Sequence, residues 1–265
     1  MSRRHFSFDC AGETLVATLD EAPGRVGLLL VSGGTVPRAG AFGGQALLAA
    51  KVAEAGWPVL RFDRCGVGDS SGTDTGFANS AVDLAAALAA FRQVQPQVVR
   101  VVAFGNCDAA SALMLAGGAQ CDALALGNPW TFESAQDGPD AGSIRRRYAA
   151  KLRNPHELWR LLTGGVSLGK LARGLRKAAA PAPAPSGLLA QMQAGAATFA
   201  GPRRFVLAAN DRTAQAFMVA WPQSVGQWHV CDGAGHGFAE DHARHWLLGQ
   251  LLALLDEQAC QLDVG

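Results

Sequence analysis

The sequence predicts an α/β fold: an open, doubly wound, mostly parallel sheet with a helical cap insertion. Three observations predict it. Apolar runs of strand length recur along the chain, each closed by turn-forming residues. Segments with helical patterning fill the gaps between them. One long stretch, residues 130–201, breaks that rhythm and has no convincing strand. Near-continuous apolar strands suit a parallel sheet covered on both faces, and regular strand–helix alternation implies crossovers between parallel strands.

Taken in order, Thr14–Leu19 reads as an early antiparallel strand. Val26–Val31 follows and ends in Ser32-Gly33-Gly34, then Trp57–Phe62 ends in Asp63, and Val98–Phe104 ends in Gly105. Ala123–Leu126 ends in Gly127-Asn128-Pro129, Phe205–Ala209 in Asn210-Asp211, and Gln227–Cys231 in Asp232-Gly233. Helices are expected over Ala41–Ala55, Ala78–Gln93 and Ala109–Ala116. A terminal helix over His242–Gln258 gathers Trp246, Leu247, Leu251, Leu254 and Leu255 on one side.

Residues 1–129 and 202–265 then form the core, and 130–201 a helical cap or lid. That insertion carries Arg145-Arg146-Arg147, Lys170–Lys177 and an alternating Ala-Pro run, Ala180–Pro185, of the kind that makes a stiff connector. Its basic residues read either as a solvated face or as a lid whose arginines, Arg146 among them, meet an acidic substrate.

Composition narrows the function classes. Hydrophobic residues make up 49% of the 265, enough for a sizeable core, which excludes disorder. Twenty-three Lys+Arg against 22 Asp+Glu leave a charge of +1. That balance argues against nucleic acid, which needs a clustered basic surface, and fits a small-molecule partner. No apolar run approaches the roughly 20 residues of a membrane span, and the first residues lack the apolar stretch of a signal peptide. The six scattered cysteines suggest neither a disulfide framework nor a zinc cluster. A reduced, cytoplasmic setting is the expectation.

The most informative stretch is Val101–Ser111, VVAFGNCDAAS. It matches the nucleophile elbow G-x-S-x-G with Cys107 for serine and Ala109 for the second glycine. A nucleophile on so sharp a turn needs small neighbours two before and two after, and Gly105 and Ala109 are small. The side chain would stand above the sheet at a helix N-terminus, where the dipole favours a thiolate. The Asp108 N–H would point at a forming oxyanion. The plainer reading is a buried, inert thiol. The rest of the chain favours the reactive one. A nucleophile needs a base and the base an orienting acid, in the chain order nucleophile, acid, histidine. Asp211 and then His236 follow in that order, both on loops at the carboxyl ends of strands. Asp232 competes as the acid but would have to fold back on its own loop. The Asp108 side chain should point elsewhere on the turn.

The second oxyanion donor is expected from Ser32–Arg38, with the Thr35 N–H as the choice. Gly34, Arg38, Trp130 and Arg146 are the candidate substrate contacts. Arg38 would take either a substrate anion or a surface carboxylate.

These residues resemble the α/β-hydrolase superfamily over nearly the whole chain: Gly33-Gly34, Arg61-Phe62-Asp63, Gly66-Val67-Gly68-Asp69-Ser70, Gly105–Ala109, Asn210-Asp211 and Gly235-His236 occur in that order. A closer resemblance is to the exosortase A system-associated hydrolases, type 1, carried by Leu60–Ser70, Cys107-Asp108-Ala109-Ala110-Ser111, Asn128-Pro129-Trp130, the basic insertion and Asn210–Phe217. That group consists of predicted bacterial hydrolases encoded near exopolysaccharide and protein-sorting genes. Cys65 stands where the group usually has arginine, and Gly237 where threonine is expected. Dienelactone hydrolases are similar in using Cys, Asp and His on this fold.

Other signals carry less. Gly66–Gly72 fails G-x-G-x-x-G by one position, and no phosphate-binding G-x-x-x-x-G-K-[ST] occurs, so no cofactor is expected. His242 and His245 begin a helix and need no metal. Cys65 is an unreactive thiol or a redox partner for Cys107. The leading expectation is a cysteine hydrolase of a small ester or thioester. The same residues suit an acyltransferase, and a non-catalytic binding module on this fold is the third reading.

Overall fold

The computed structural model describes residues 2–132 and 187–263. Eight strands form one sheet: β1 Ser2–Cys10, β2 Glu13–Glu21, β3 Val26–Val31, β4 Val59–Phe62, β5 Arg100–Asn106, β6 Ala123–Gly127, β7 Arg203–Ala208 and β8 Gln227–Cys231. Their order is β1-β2-β4-β3-β5-β6-β7-β8, antiparallel from β1 to β4 and parallel from β4 onward. Six α-helices accompany them among the described residues: α1 Gly44–Glu54, α2 Ala81–Val94, α3 Asp108–Leu115, α4 Gly187–Thr198, α5 Arg212–Ala220 and α6 Asp241–Asp263.

The apolar runs are continuous because the central strands are buried on both sides. Leu29 and Val31 of β3, Val101 and Ala103 of β5, and Phe205 and Leu207 of β7 face one core with α2, α3, α4 and α5. The alternate residues, Leu28 and Leu30, Val102 and Phe104, Val206 and Ala208, face a second core with α1 and α6. A period of two divided between two apolar layers reads in sequence as an unbroken apolar run.

The structure departs from expectation at three places. Strand β1 was not anticipated. As the sheet's outer strand it is largely exposed: Cys10 at its end is buried in the core, and Phe6 and Phe8 pack against it. Helix α5 was also unforeseen. The third is the placement of α4, which lies within the stretch expected to be a helical insertion. Its Leu189, Met192 and Ala196 recur at helical spacing and pack into the same core as α3, so the core resumes before residue 202.

Strand β3 has β4 on one side and β5 on the other, so chain connections leave it in opposite directions. The carboxyl ends of β3 and β5 therefore flank a crevice, where such sheets hold ligands.

Candidate active site

Strand β5 passes into α3 through a single strained residue. Cys107 has φ 64 and ψ −127, a conformation L-residues rarely adopt. Its N–H donates to the Gly127 carbonyl at 2.9 Å, and its own carbonyl accepts from Ala110 at 3.1 Å, so both flanking peptides are fixed. Gly105 cannot carry a side chain there. A Cβ would lie 2.7–2.9 Å from the backbone of Ala109 and Ala110. Close passage of strand and helix holds the strain, and the Cys107 side chain is left half-buried.

His236 arrives on the loop after β8. Two side-chain amides moor its backbone: Asn106 Nδ2 and Asn128 Nδ2 each donate to the His236 carbonyl at 3.0 Å. Asn128 Nδ2 also donates to Asn106 Oδ1 at 3.0 Å, while Asn128 Oδ1 accepts from the Ala208 N–H at 2.8 Å. Asn128 is fully buried, with φ 41, a left-handed value that asparagine tolerates better than most residues. Through it the ends of β5, β6 and β7 are joined to the histidine loop. The Gly235 N–H is held by Glu240 at 3.1 Å.

The carboxylate beside His236 is that of Asp211, with Oδ2 3.0 Å from Nδ1. Asp232 has no recorded contact with the ring. Asp211 also caps α5, accepting from the Ala214 N–H at 3.0 Å. Burial pushes its carboxyl pKa up, but the His236 hydrogen bond and charge and the α5 N–H groups outweigh this, so the net shift is downward. His236 moves the other way. Hydrogen bonds to Asp211 and then Cys107, opposed by burial, push it up to about 10. At neutral pH the ring is therefore an imidazolium, placed between the Asp211 carboxylate and the Cys107 side chain.

The loop after β3 lies against the elbow. The Gly34 N–H donates to both Asp108 carboxylate oxygens, at 2.9 and 2.8 Å. The Asp108 side chain thus points at the glycine loop, which the sequence reading did not anticipate. Gly33 must be bare, since a Cβ there would fall 2.3 Å from Asp108 Oδ1. Thr35 is exposed at the tip of the same loop.

Arg38 is committed within the protein. Its guanidinium pairs with the fully buried Asp63, with Asp69 at 2.8 Å and with Thr18 Oγ1 at 3.0 Å, and its backbone N–H also donates to Asp63. Of the two expectations, the carboxylate partner is the one found. Trp130 is tied to the elbow: its N–H donates to the Cys107 carbonyl at 3.3 Å and Ser111 Oγ donates to its carbonyl at 2.7 Å. The indole N–H is spent on Phe132 O at 2.7 Å, and the two rings meet edge-on with centroids 4.8 Å apart. Only the ring is left to face a ligand. Arg146 lies outside the described residues.

Sequence reasoning missed the supporting roles of Asn106 and Asn128. Asn128 did sit in a visible strand-end turn, Gly127-Asn128-Pro129. The Cys65 Sγ faces the Ser71 carbonyl at 3.5 Å, and its N–H is held by Asp83 at 2.9 Å. Among the described residues, no group of three or more metal-binding side chains occurs, and no helix is long and apolar enough to cross a membrane.

Comparison with solved structures finds the same fold in several enzymes. The esterase Pf2001 of Pyrococcus furiosus has TM-score 0.62 and 13% identity, covering 97% of this chain and 90% of its own. Est1E of Butyrivibrio proteoclasticus, solved with ferulic acid bound, has TM-score 0.60 and 16% identity over 96% of this chain and 99% of its own. The thioesterase domain from the curacin biosynthetic pathway has TM-score 0.56 and 13% identity over 96% and 100%. No curated protein matches the chain in sequence. The model of the alpha/beta hydrolase family matches residues 28–249, most of the chain. With the sheet order, the strained turn after β5 and the histidine loop after β8 in place, the chain belongs to the alpha/beta hydrolase family.

Proposed function

We propose that this chain hydrolyses a small ester or thioester through an acyl-enzyme on Cys107. One observation carries the reading: a strained half-buried cysteine shares one imidazole with a buried carboxylate, and that imidazole is held cationic. In this mechanism the Cys107 thiolate attacks the acyl carbon. The N–H groups of Asp108 and Thr35 receive the oxyanion. The tetrahedral intermediate collapses, the leaving group takes a proton from His236, and an acyl-thioester remains. Neutral His236 then accepts a proton from water as it attacks, and Cys107 leaves as thiolate with the imidazolium restored. Asp211 keeps the ring oriented throughout and stabilises its cationic form. The Trp130 ring forms part of the acyl wall.

Two of the structural neighbours, an esterase and a thioesterase domain, agree with this class. The residues resembling the exosortase A system-associated type 1 hydrolases support a finer assignment, to a bacterial cytoplasmic enzyme linked to exopolysaccharide or protein-sorting systems. Its cap would comprise the insertion, with Arg146 meeting an acidic group of the substrate. The test is a length series of p-nitrophenyl esters and thioesters, with mass detection of acyl-Cys107. Cys107→Ala is expected to lose turnover by orders of magnitude and keep its melting temperature. Undiminished turnover in that variant rejects the proposal. Preferential delivery of the acyl group to an added alcohol rather than water would instead identify an acyltransferase.

A further inference from the structure

The loop after β3 has few N–H groups left to offer a substrate. That of Gly34 is spent on Asp108, that of Val36 on the Gly33 carbonyl at 3.2 Å, and that of Arg38 on Asp63. Pro37 has none. Across residues 34–38 the Thr35 N–H alone has no recorded protein partner, and Thr35 is exposed.

The direction of that N–H is set from behind. Arg64 is 3% exposed, an arginine sunk beneath the loop. One guanidinium nitrogen donates to Ser80 Oγ at 2.8 Å and the other to the Gly34 carbonyl. In a trans peptide the carbonyl and the following N–H point in opposite directions. Fixing the Gly34 carbonyl on a buried guanidinium therefore turns the Thr35 N–H away from the protein interior, toward the open side of the loop. The preceding peptide is fixed at both ends, by Asp108 on its N–H and by Val36 on its carbonyl. Gly34 sits between the two clamps with φ 56, where a side chain would be strained.

We propose that Arg64 is a positioning residue for acyl transfer to Cys107: it orients the Gly34–Thr35 peptide so that the Thr35 N–H receives the oxyanion, and the Asp108 carboxylate locks the neighbouring peptide. Arg64 touches no reacting atom. This rests on the cysteine-hydrolase reading above and adds a residue that the nucleophile, base and acid do not include.

Two rates separate positioning from general damage. Alkylation of Cys107 by iodoacetamide needs the thiolate but develops no oxyanion, whereas acylation by p-nitrophenyl acetate needs both. Arg64→Met is expected to slow the acylation burst about 100-fold or more, the scale of one lost oxyanion donor. Alkylation should stay within about threefold, as thiolate formation is untouched. Ser80→Ala, which removes only the other partner of Arg64, should leave both rates near wild type. Should Arg64→Met not fold, Asp108→Ala decides on the same two rates: acylation slowed with alkylation equal or faster supports the clamp. Acylation unchanged or faster in the deciding variant, or both rates falling together, overturns it. A wild-type enzyme that is alkylated at Cys107 but never acylated overturns the hydrolase reading, and the clamp's role with it.

Discussion

Asn128 is the joint on which the three loops of the site depend, and replacing it by alanine should cost more than any surface change. The side chain is fully buried and uses both amide hydrogens and its oxygen, on Asn106 Oδ1, the His236 carbonyl and the Ala208 N–H. Truncation leaves the Asn106 Oδ1 and the Ala208 N–H without those partners, while the His236 carbonyl keeps Asn106 Nδ2. Two buried polar groups at about 1–3 kcal/mol each give about 2–6 kcal/mol. The left-handed backbone adds about 1–2 kcal/mol, because alanine lacks the local tolerance of asparagine for φ 41. In a chain of this size each kcal/mol lowers the melting temperature by about 2–4 °C, so Asn128→Ala should melt roughly 6–30 °C below wild type. Asn128→Gly separates the contributions, since it loses the same amide but accepts the backbone. It should melt above Asn128→Ala. Circular dichroism melts at one pH and protein concentration suffice. A shift under about 2 °C for alanine, or glycine melting below alanine, would refute the reasoning.

Three further outcomes are expected. Because the folded-state pKa of His236 is raised from 6.5 to about 10, its contribution to stability is complete below about pH 6.5 and fades as pH rises toward 10; the melting-temperature gap between wild type and His236→Ala should therefore shrink between pH 6.5 and 10, and a widening gap would reverse the sign. Asp211 is depressed, so its share should be lost as pH falls through the acidic range below its ordinary value of 3.8, visible as a steeper acid transition in wild type than in Asp211→Asn. Gly105→Ala drives a Cβ into the backbone of Ala109 and Ala110, and overpacking of that kind costs about 1–3 kcal/mol, readable in urea midpoints together with slower Cys107 alkylation.

The placement of the candidate residues could be read from the chain because they are tied to strand ends. Cys107, Asp211 and His236 each follow an apolar run, and a parallel sheet brings the carboxyl ends of its strands to one edge whatever lies between them. The small residues at 105 and 109 were legible for the same reason: the turn forbids bulk. The supports were not legible. Asn106, Asn128 and Arg64 act through backbone carbonyls and amides, and sequence does not say which carbonyl a buried amide will meet. Arg38 shows the converse. An arginine beside a glycine loop suggests an anion, but the anion turned out to be Asp63, beyond a helix and a strand in the chain and already fully buried. The placement of helix α4 in the core escaped notice because its apolar residues are alanines, leucines and one methionine beside the alternating Ala-Pro run. Strand β1 escaped because an exposed edge strand needs few apolar residues.

The described chain leaves the core at Trp130, whose N–H is bonded to the Cys107 carbonyl, and resumes at α4, packed on the helix that Cys107 caps. Both moorings belong to the same short piece of framework. A graft made at these two attachment points would begin and end on backbone already fixed relative to the Cys107 sulfur.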